Sequence, residues 1–163
     1  LMNQGRLIQF DSPFNILFNP KDAFVSEFVG RDRALKGLQL IRGKEVMRKS
    51  IQTVTKDESI EEVKNRVKNP EDNIELPVVD NEGCFVGFVN IKEANTGSVS
   101  THIQHSQART SVDTVLDEAL SIMLSGQLNM LAMLDNNQRI KGILAFSDIQ
   151  KALSEADHQA KEP

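Results

Sequence analysis

The chain has 163 residues, 39% hydrophobic and 26% charged, a balance that suits one folded domain of ordinary size plus an appendage and excludes disordered or fibrous classes. Nineteen Lys and Arg against 23 Asp and Glu leave a formal charge of −4, with the basic residues scattered, so no nucleic acid and no anionic membrane surface is expected as partner. No apolar run approaches the roughly 20 residues of a membrane-spanning helix, no signal-peptide core opens the chain, and one cysteine, Cys84, admits no internal disulfide, so a soluble, cytoplasmic chain without direct membrane insertion is expected.

In chain order, residues 1–9 read as a hairpin turning at Asn3-Gln4-Gly5 and returning through Leu7 and Ile8. A lone hairpin is barely stable in water, so this one is expected to pack against something outside the chain, which reads as a truncated piece. Ser12-Pro13 signals a short helix, with Ser12 as N-cap, and Asn19-Pro20 repeats the signal. Phe24, Val25, Phe28 and Val29 form an apolar stripe at helical spacing, closed by Gly30. Residues 31–41 predict a charged helical connector, with residues 1–40 packing only loosely on the remainder of the chain.

From residue 43 an internal repeat begins. The first copy runs through residues 51–55, 59–67, 74–80 and 87–94, and the second through 107–111, 114–124, 128–135 and 142–153. Asp80 and Asp135, like Gly87 and Gly142, stand 55 residues apart. Each copy predicts strand, helix, strand, turn, strand, helix, with capping boxes at Ser59/Glu62 and Ser147/Gln150 and hairpin turns at Asn81-Glu82-Gly83 and Asn136-Asn137. One such unit cannot cover both faces of a three-stranded sheet, whereas two paired about a pseudo-twofold axis can, and their outer helices invite a second pair, hence a homodimer. The fold class is therefore α/β (α+β).

The strand Leu76-Pro77-Val78-Val79-Asp80, followed by Gly87 and two apolar residues, resembles the tandem CBS, or Bateman, family over about residues 43–153. The preceding stretch, Met2 to Gln9, Ser12-Pro13, Asn19-Pro20 and Phe24-Val25 with Phe28-Val29-Gly30, resembles the end of the ATPase domain in the osmoprotectant-uptake group of ABC importers. The expected parse is ATPase tail and connector at 1–42, CBS repeats at 43–98 and 99–155, and a polar tail at 156–163. The resemblance implies the regulatory module of a glycine betaine, carnitine or choline importer, at the inner face of the cell membrane and joined to a membrane subunit through its parent ATPase.

Catalysis finds little support. No G-x-x-x-x-G-K-[ST] phosphate loop occurs, so ATP hydrolysis is not expected of this chain. His102 and His105 lack further metal ligands at suitable spacing, Cys84 lacks an activating partner, and the charges from Glu61 to Lys68 read as a solvated helix face. Ligand binding remains. Family members that bind adenosine nucleotides carry Gly, two apolar residues, Thr or Ser, two variable residues and Asp, the Asp accepting from both ribose hydroxyls. The first copy has Asn90 and Glu93 at the polar positions, and the second has Ala145 and Asp148. Asp148 equally fits a first-turn acid favoured by the helix dipole.

The resemblance also implies a cyclic di-AMP site where two CBS pairs meet, walled here by Val54, Ile74, Leu76, Met130, Ala132, Ile143 and Phe146. Relatives tend to have an aromatic at the Met130 position and a cation at that of Phe146, and this chain has neither, so binding of micromolar strength or weaker is expected. Phe146 is expected to stack on adenine. The alternative is a ligand-free pair that only dimerises or reads ionic strength. As an adenine-nucleotide sensor the module is expected to need no resident cofactor.

Overall fold

Two short strands, β1 (Met2–Asn3) and β2 (Arg6–Leu7), open the chain in the computed structural model, which describes residues 1–67, 75–104 and 106–159. The expected hairpin forms, its turn confined to Gln4-Gly5 with Arg6 already in the return strand. Ser12 caps α1 (Pro13–Phe18) as its hydroxyl accepts from the Asn15 N–H at 3.2 Å. The second helix, α2 (Ala23–Val29), starts later than Asn19-Pro20 suggested. Asn19 closes α1, its carbonyl accepting from Gln9, and the Asp22 carboxylate accepts from the Val25 N–H at 2.9 Å. Val25 and Val29 turn inward, but Phe28 is exposed, so the apolar stripe is narrower than its spacing implied.

The helix α3 (Arg33–Leu38) changes the picture of a loose N-terminal segment. Leu38 is fully buried in one cluster with Leu131, Leu144 and Ile149, and α1 and α3 both pack against the last helix. Burying a leucine of this kind is worth about 1.5–3 kcal/mol, enough to hold the segment in place. Next comes the single turn α4 (Gly43–Val46).

The first repeat builds β3 (Val54–Thr55), α5 (Ile60–Arg66), β4 (Glu75–Val79) and β5 (Phe85–Asn90). The second builds β7 (Arg109–Ser111), α6 (Leu116–Gly126), β8 (Met130–Leu134), β9 (Ile140–Ala145) and α7 (Phe146–Gln159). Between them lie a 3₁₀ turn (Val99–His102) and β6 (Ile103–Gln104). The sheets run β3-β4-β5-β6 and β7-β8-β9, each with one parallel pair followed by antiparallel pairing. Both hairpins even break register at equivalent points, Val78/Val79 and Met133/Leu134. The α/β architecture of two paired units that the repeat implied is the one observed.

Two local expectations fail. The first copy has no terminal helix: Asn90 accepts from the Lys92 and Glu93 N–H groups at 3.0 and 3.3 Å, making one turn, and Gly97 at φ 101° then redirects the chain toward β6. In the second copy Ser147 is not a cap. Asp148 reaches back instead, its Oδ2 accepting from the Ala145 N–H at 2.9 Å, so α7 starts two residues earlier, at Phe146. The Ser59/Glu62 capping box forms as expected, at 3.2 and 3.3 Å.

The structural repeat includes the segments that lead into the two matching patterns. Arg42 pairs with Val115 and Arg48 with Ile143, just as Ser98 pairs with Ser59 and Gln104 with Phe88. The segment leading into each copy therefore joins the sheet of the other. Gly87 and Gly142 explain themselves here: a Cβ at Gly142 would lie 2.6 Å from the Arg48 carbonyl oxygen, and one at Gly87 2.8 Å from that of Gln104. Only glycine lets the crossing segment approach so closely.

Candidate functional site

The two copies meet first at their hairpin tips. Asp80 Oδ1 accepts from the Glu82 and Cys84 N–H groups, both at 2.9 Å, and Asp135 Oδ1 accepts from Asn137 and Arg139 at 2.9 and 3.0 Å. The backbone N–H of Cys84 holds the Asp80 carboxyl below the usual carboxylate range, and that of Arg139 does the same for Asp135, with Lys141 adding to it. So clamped, the tips pair with one another through Cys84 and Arg139, and the Phe85 N–H donates to the Gln138 carbonyl at 3.1 Å. Cys84 is part of this joint, its thiol 3.7 Å from the Asn137 carbonyl.

At the opposite ends of the strands the crossing segments leave two equivalent edges. One is open: a cleft of about 410 Å³ lined by Arg48, Ser50, Ile51, Gln52, Glu75, Leu76, Pro77 and Ile143. Arg48 stands over it. Its Nε and Nη2 lie 3.0 and 2.9 Å from Asp148 Oδ1, and Nη2 also donates to the Ser147 hydroxyl at 3.2 Å. The Arg48 side chain is 53% exposed and that of Asp148 only 14%, so the carboxylate is the fixed member of the pair. At the other edge Phe88 stands where the open edge has Ile143, Met130 where it has Glu75, and Ala108 where it has Gln52. Phe88 is buried against Phe85, ring centroids 5.2 Å apart, and only about 30 Å³ remains beside Phe88, Ala108, Leu128 and Met130. That is room for a water molecule or so, not for a ligand.

Within one chain, the residues expected to wall a site between two pairs, and Asp148 of the ribose motif, lie in several environments. Leu76 and Ile143 line the open cleft, and Asp148 and Phe146 lie at the start of α7 beside it, Phe146 38% exposed. Val54 and Ala132 are sealed in the two cores, which is the packing role. Met130 belongs to the closed edge, and Ile74 lies outside the described residues. His102 Nε2 donates to the Thr96 carbonyl at 3.0 Å, His105 lies outside the described residues, and no group of three metal-ligating side chains occurs among those described. Sequence reasoning missed Arg48, Ser50, Gln52 and Ser147. The repeat offered one signal, since Ser50 stands at the same step of its copy as Ser106.

Residues 44–94 match the model of the CBS domain. Solved CBS pairs share the arrangement: CBSX2 in complex with AMP superposes with a TM-score of 0.61 at 18% identity, covering 70% of this chain and 96% of that one. A CBS domain pair in complex with 5-methylthioadenosine and S-adenosyl-L-methionine gives 0.62 at 20% identity, covering 71% and 97%. The chain has the fold of a CBS domain pair, with the CBS family itself matched over residues 44–94. It is also 25% identical over 155 residues to the carnitine transport ATP-binding protein OpuCA of Listeria monocytogenes, covering 91% of this chain and 39% of that protein. With the osmoprotectant import ATP-binding protein OsmV of Salmonella typhimurium it shares 28% over 156 residues, 94% of this chain and 41% of that one. The chain thus spans about two fifths of the length of these relatives. No helix among its described residues is long and apolar enough to cross a membrane.

Proposed function

We propose that the chain is the regulatory module of the ATP-binding subunit of an osmoprotectant importer, and that an adenine nucleotide bound in the open cleft is its signal. The observation behind this is the cleft itself: apolar walls from Leu76 and Ile143 suit a base, while Arg48 and Asp148 offer a cation and a carboxylate at its mouth. Adenine ligands in solved CBS pairs support the choice of ligand class. A volume of about 410 Å³ suits a mononucleotide, and cyclic di-AMP, expected where two pairs meet, would draw instead on exposed Phe146. The module works as a homodimer, with exposed Leu124 and Phe146 on its outer helices, beside the membrane and attached to the transporter's membrane subunit through the rest of the ATP-binding protein. Light scattering should return twice the chain mass of 18.2 kDa, and a monomer at high micromolar concentration would remove the dimer.

Calorimetric titration with AMP, ATP and cyclic di-AMP tests the ligand. Saturable binding of a mononucleotide, lost in Asp148→Asn, is the expected result; binding of cyclic di-AMP alone would move the site to the dimer interface. A second reading draws on Lys44 and Asp113, which join α4 to the second repeat at 2.7 Å while both remain about half exposed. Such a pair weakens with salt, so a melting temperature that answers to KCl and to no nucleotide would favour an ionic-strength sensor.

A further inference from the structure

We infer that Arg48 makes the open cleft select phosphorylated ligands, by holding Asp148 until an anionic group draws it away; this rests on the nucleotide reading above. With the cleft free, the Asp148 carboxylate is already committed. Oδ2 accepts from the Ala145 N–H at 2.9 Å, and Oδ1 faces two guanidinium nitrogens at 3.0 and 2.9 Å. A ribose diol asking for the same oxygen must therefore displace Arg48. A nucleoside offers that cation nothing in return, and the exchange ends with the guanidinium short of its counter-charge. A nucleotide offers its phosphate, whose oxygens fit the guanidinium fork as well as a carboxylate does. Ligand binding then becomes a swap of partners in which every charged hydrogen-bonding group stays paired.

The geometry fits that division of labour. Asp148 is anchored by the backbone at the start of α7 and mostly covered, while the Arg48 side chain is half exposed on a long stem and free to turn toward the cleft it lines. The backbone of Arg48 stays fixed in either position, since its N–H and carbonyl pair with Ile143 at 2.9 and 3.1 Å. Glu75, an acidic residue that also lines the cleft, disfavours an anion beside itself and so favours the phosphate beside Arg48. The other copy cannot do this, because Gln104 and Glu93 stand at the positions of Arg48 and Asp148.

Titration of the folded chain with AMP and with adenosine decides the matter. Wild type should bind AMP more tightly than adenosine by on the order of ten- to a hundredfold. In Arg48→Gln the gap should shrink to about threefold or less, with AMP weakened and adenosine strengthened, because Asp148 is released while the phosphate partner is lost. Arg48→Lys, which keeps the charge, should retain part of the preference, and melting curves would confirm that all three chains are folded. Equal wild-type affinities for AMP and adenosine, or a proportional loss of both in Arg48→Gln, would overturn the selection mechanism while leaving the nucleotide reading intact. A wild-type chain that binds neither compound overturns the nucleotide reading and this inference together.

Discussion

The two copies share their strand pairing down to the position of the register breaks, yet one presents an open edge and the other a filled one. Ile143 leaves room where the Phe88 ring takes it up, and Glu75 borders both edges. Duplication supplies two equivalent frames, and a handful of side chains decides which frame is a site and which is core. The same asymmetry extends to polar groups: Arg48 and Asp148 form an ion pair on one side, while Asn90 on the other spends its side chain closing a turn. Fold alone would have assigned both edges the same role.

The largest test of this contrast is Phe88→Ala. Its ring is 1% exposed and packed among Phe85, Leu131 and their neighbours, so stability should fall by about 3–5 kcal/mol, whereas Ile143→Ala, on the open cleft, should cost clearly less. Urea unfolding of the two variants would measure the gap, and equal losses would mean that the second edge is not core. Gly87→Ala and Gly142→Ala come next. Each forces a crossing segment outward, and overpacking of this kind costs about 1–3 kcal/mol. Both should lose stability to a similar extent; one tolerated and one damaging would break the equivalence of the copies. Ser59→Ala removes a cap bond that Val115, the matching residue of the second copy, does not make. A loss of about 1 kcal/mol in unfolding experiments is expected.

The smallest effect concerns the point where the copies agree. Asp80 and Asp135 both have carboxyl groups held below their ordinary range, mainly by the backbone N–H groups of Cys84 and Arg139. A depressed native pKa means that the ionised form stabilises the fold above the ordinary carboxylate value near 4 and that this contribution disappears as pH falls through the lower native value. The amides of Cys84 and Arg139 should shift together in an acid titration followed by NMR. Asp80→Asn should remove the transition at Cys84 and leave the other in place.

Much of the fold was legible because the repeat is written in core residues: the apolar strand ending in Asp80 or Asp135 and the glycine seven residues later recur at a fixed offset. The leading segments were not, since residues 42–50 and 98–106 share a single residue type in register, the serine at 50 and 106. Their equivalence lies in backbone pairing, which any side chain permits. The missing helix after β5 was a misreading by analogy, because the second copy continues with Gln150, Lys151, Ala152 and Leu153, good helix formers, where the first turns at Asn95, Thr96 and Gly97. Asp148 was legible from its motif, but its partner Arg48 stands 100 residues away and only the crossing segment brings them together. The apolar set named from resemblance was split between cleft and core for a similar reason. Alternation along a strand says which residues share a face, not which of two equivalent edges a neighbouring phenylalanine has filled.

The central claim, one open site per chain, has a direct measurement in the stoichiometry of nucleotide binding. Calorimetric titration of the wild-type chain with AMP should saturate at one ligand per chain. Ile143→Phe, which puts into the open edge the residue that fills the other, should abolish that binding with the fold intact. Two ligands per chain, or undiminished binding in Ile143→Phe, would contradict the account.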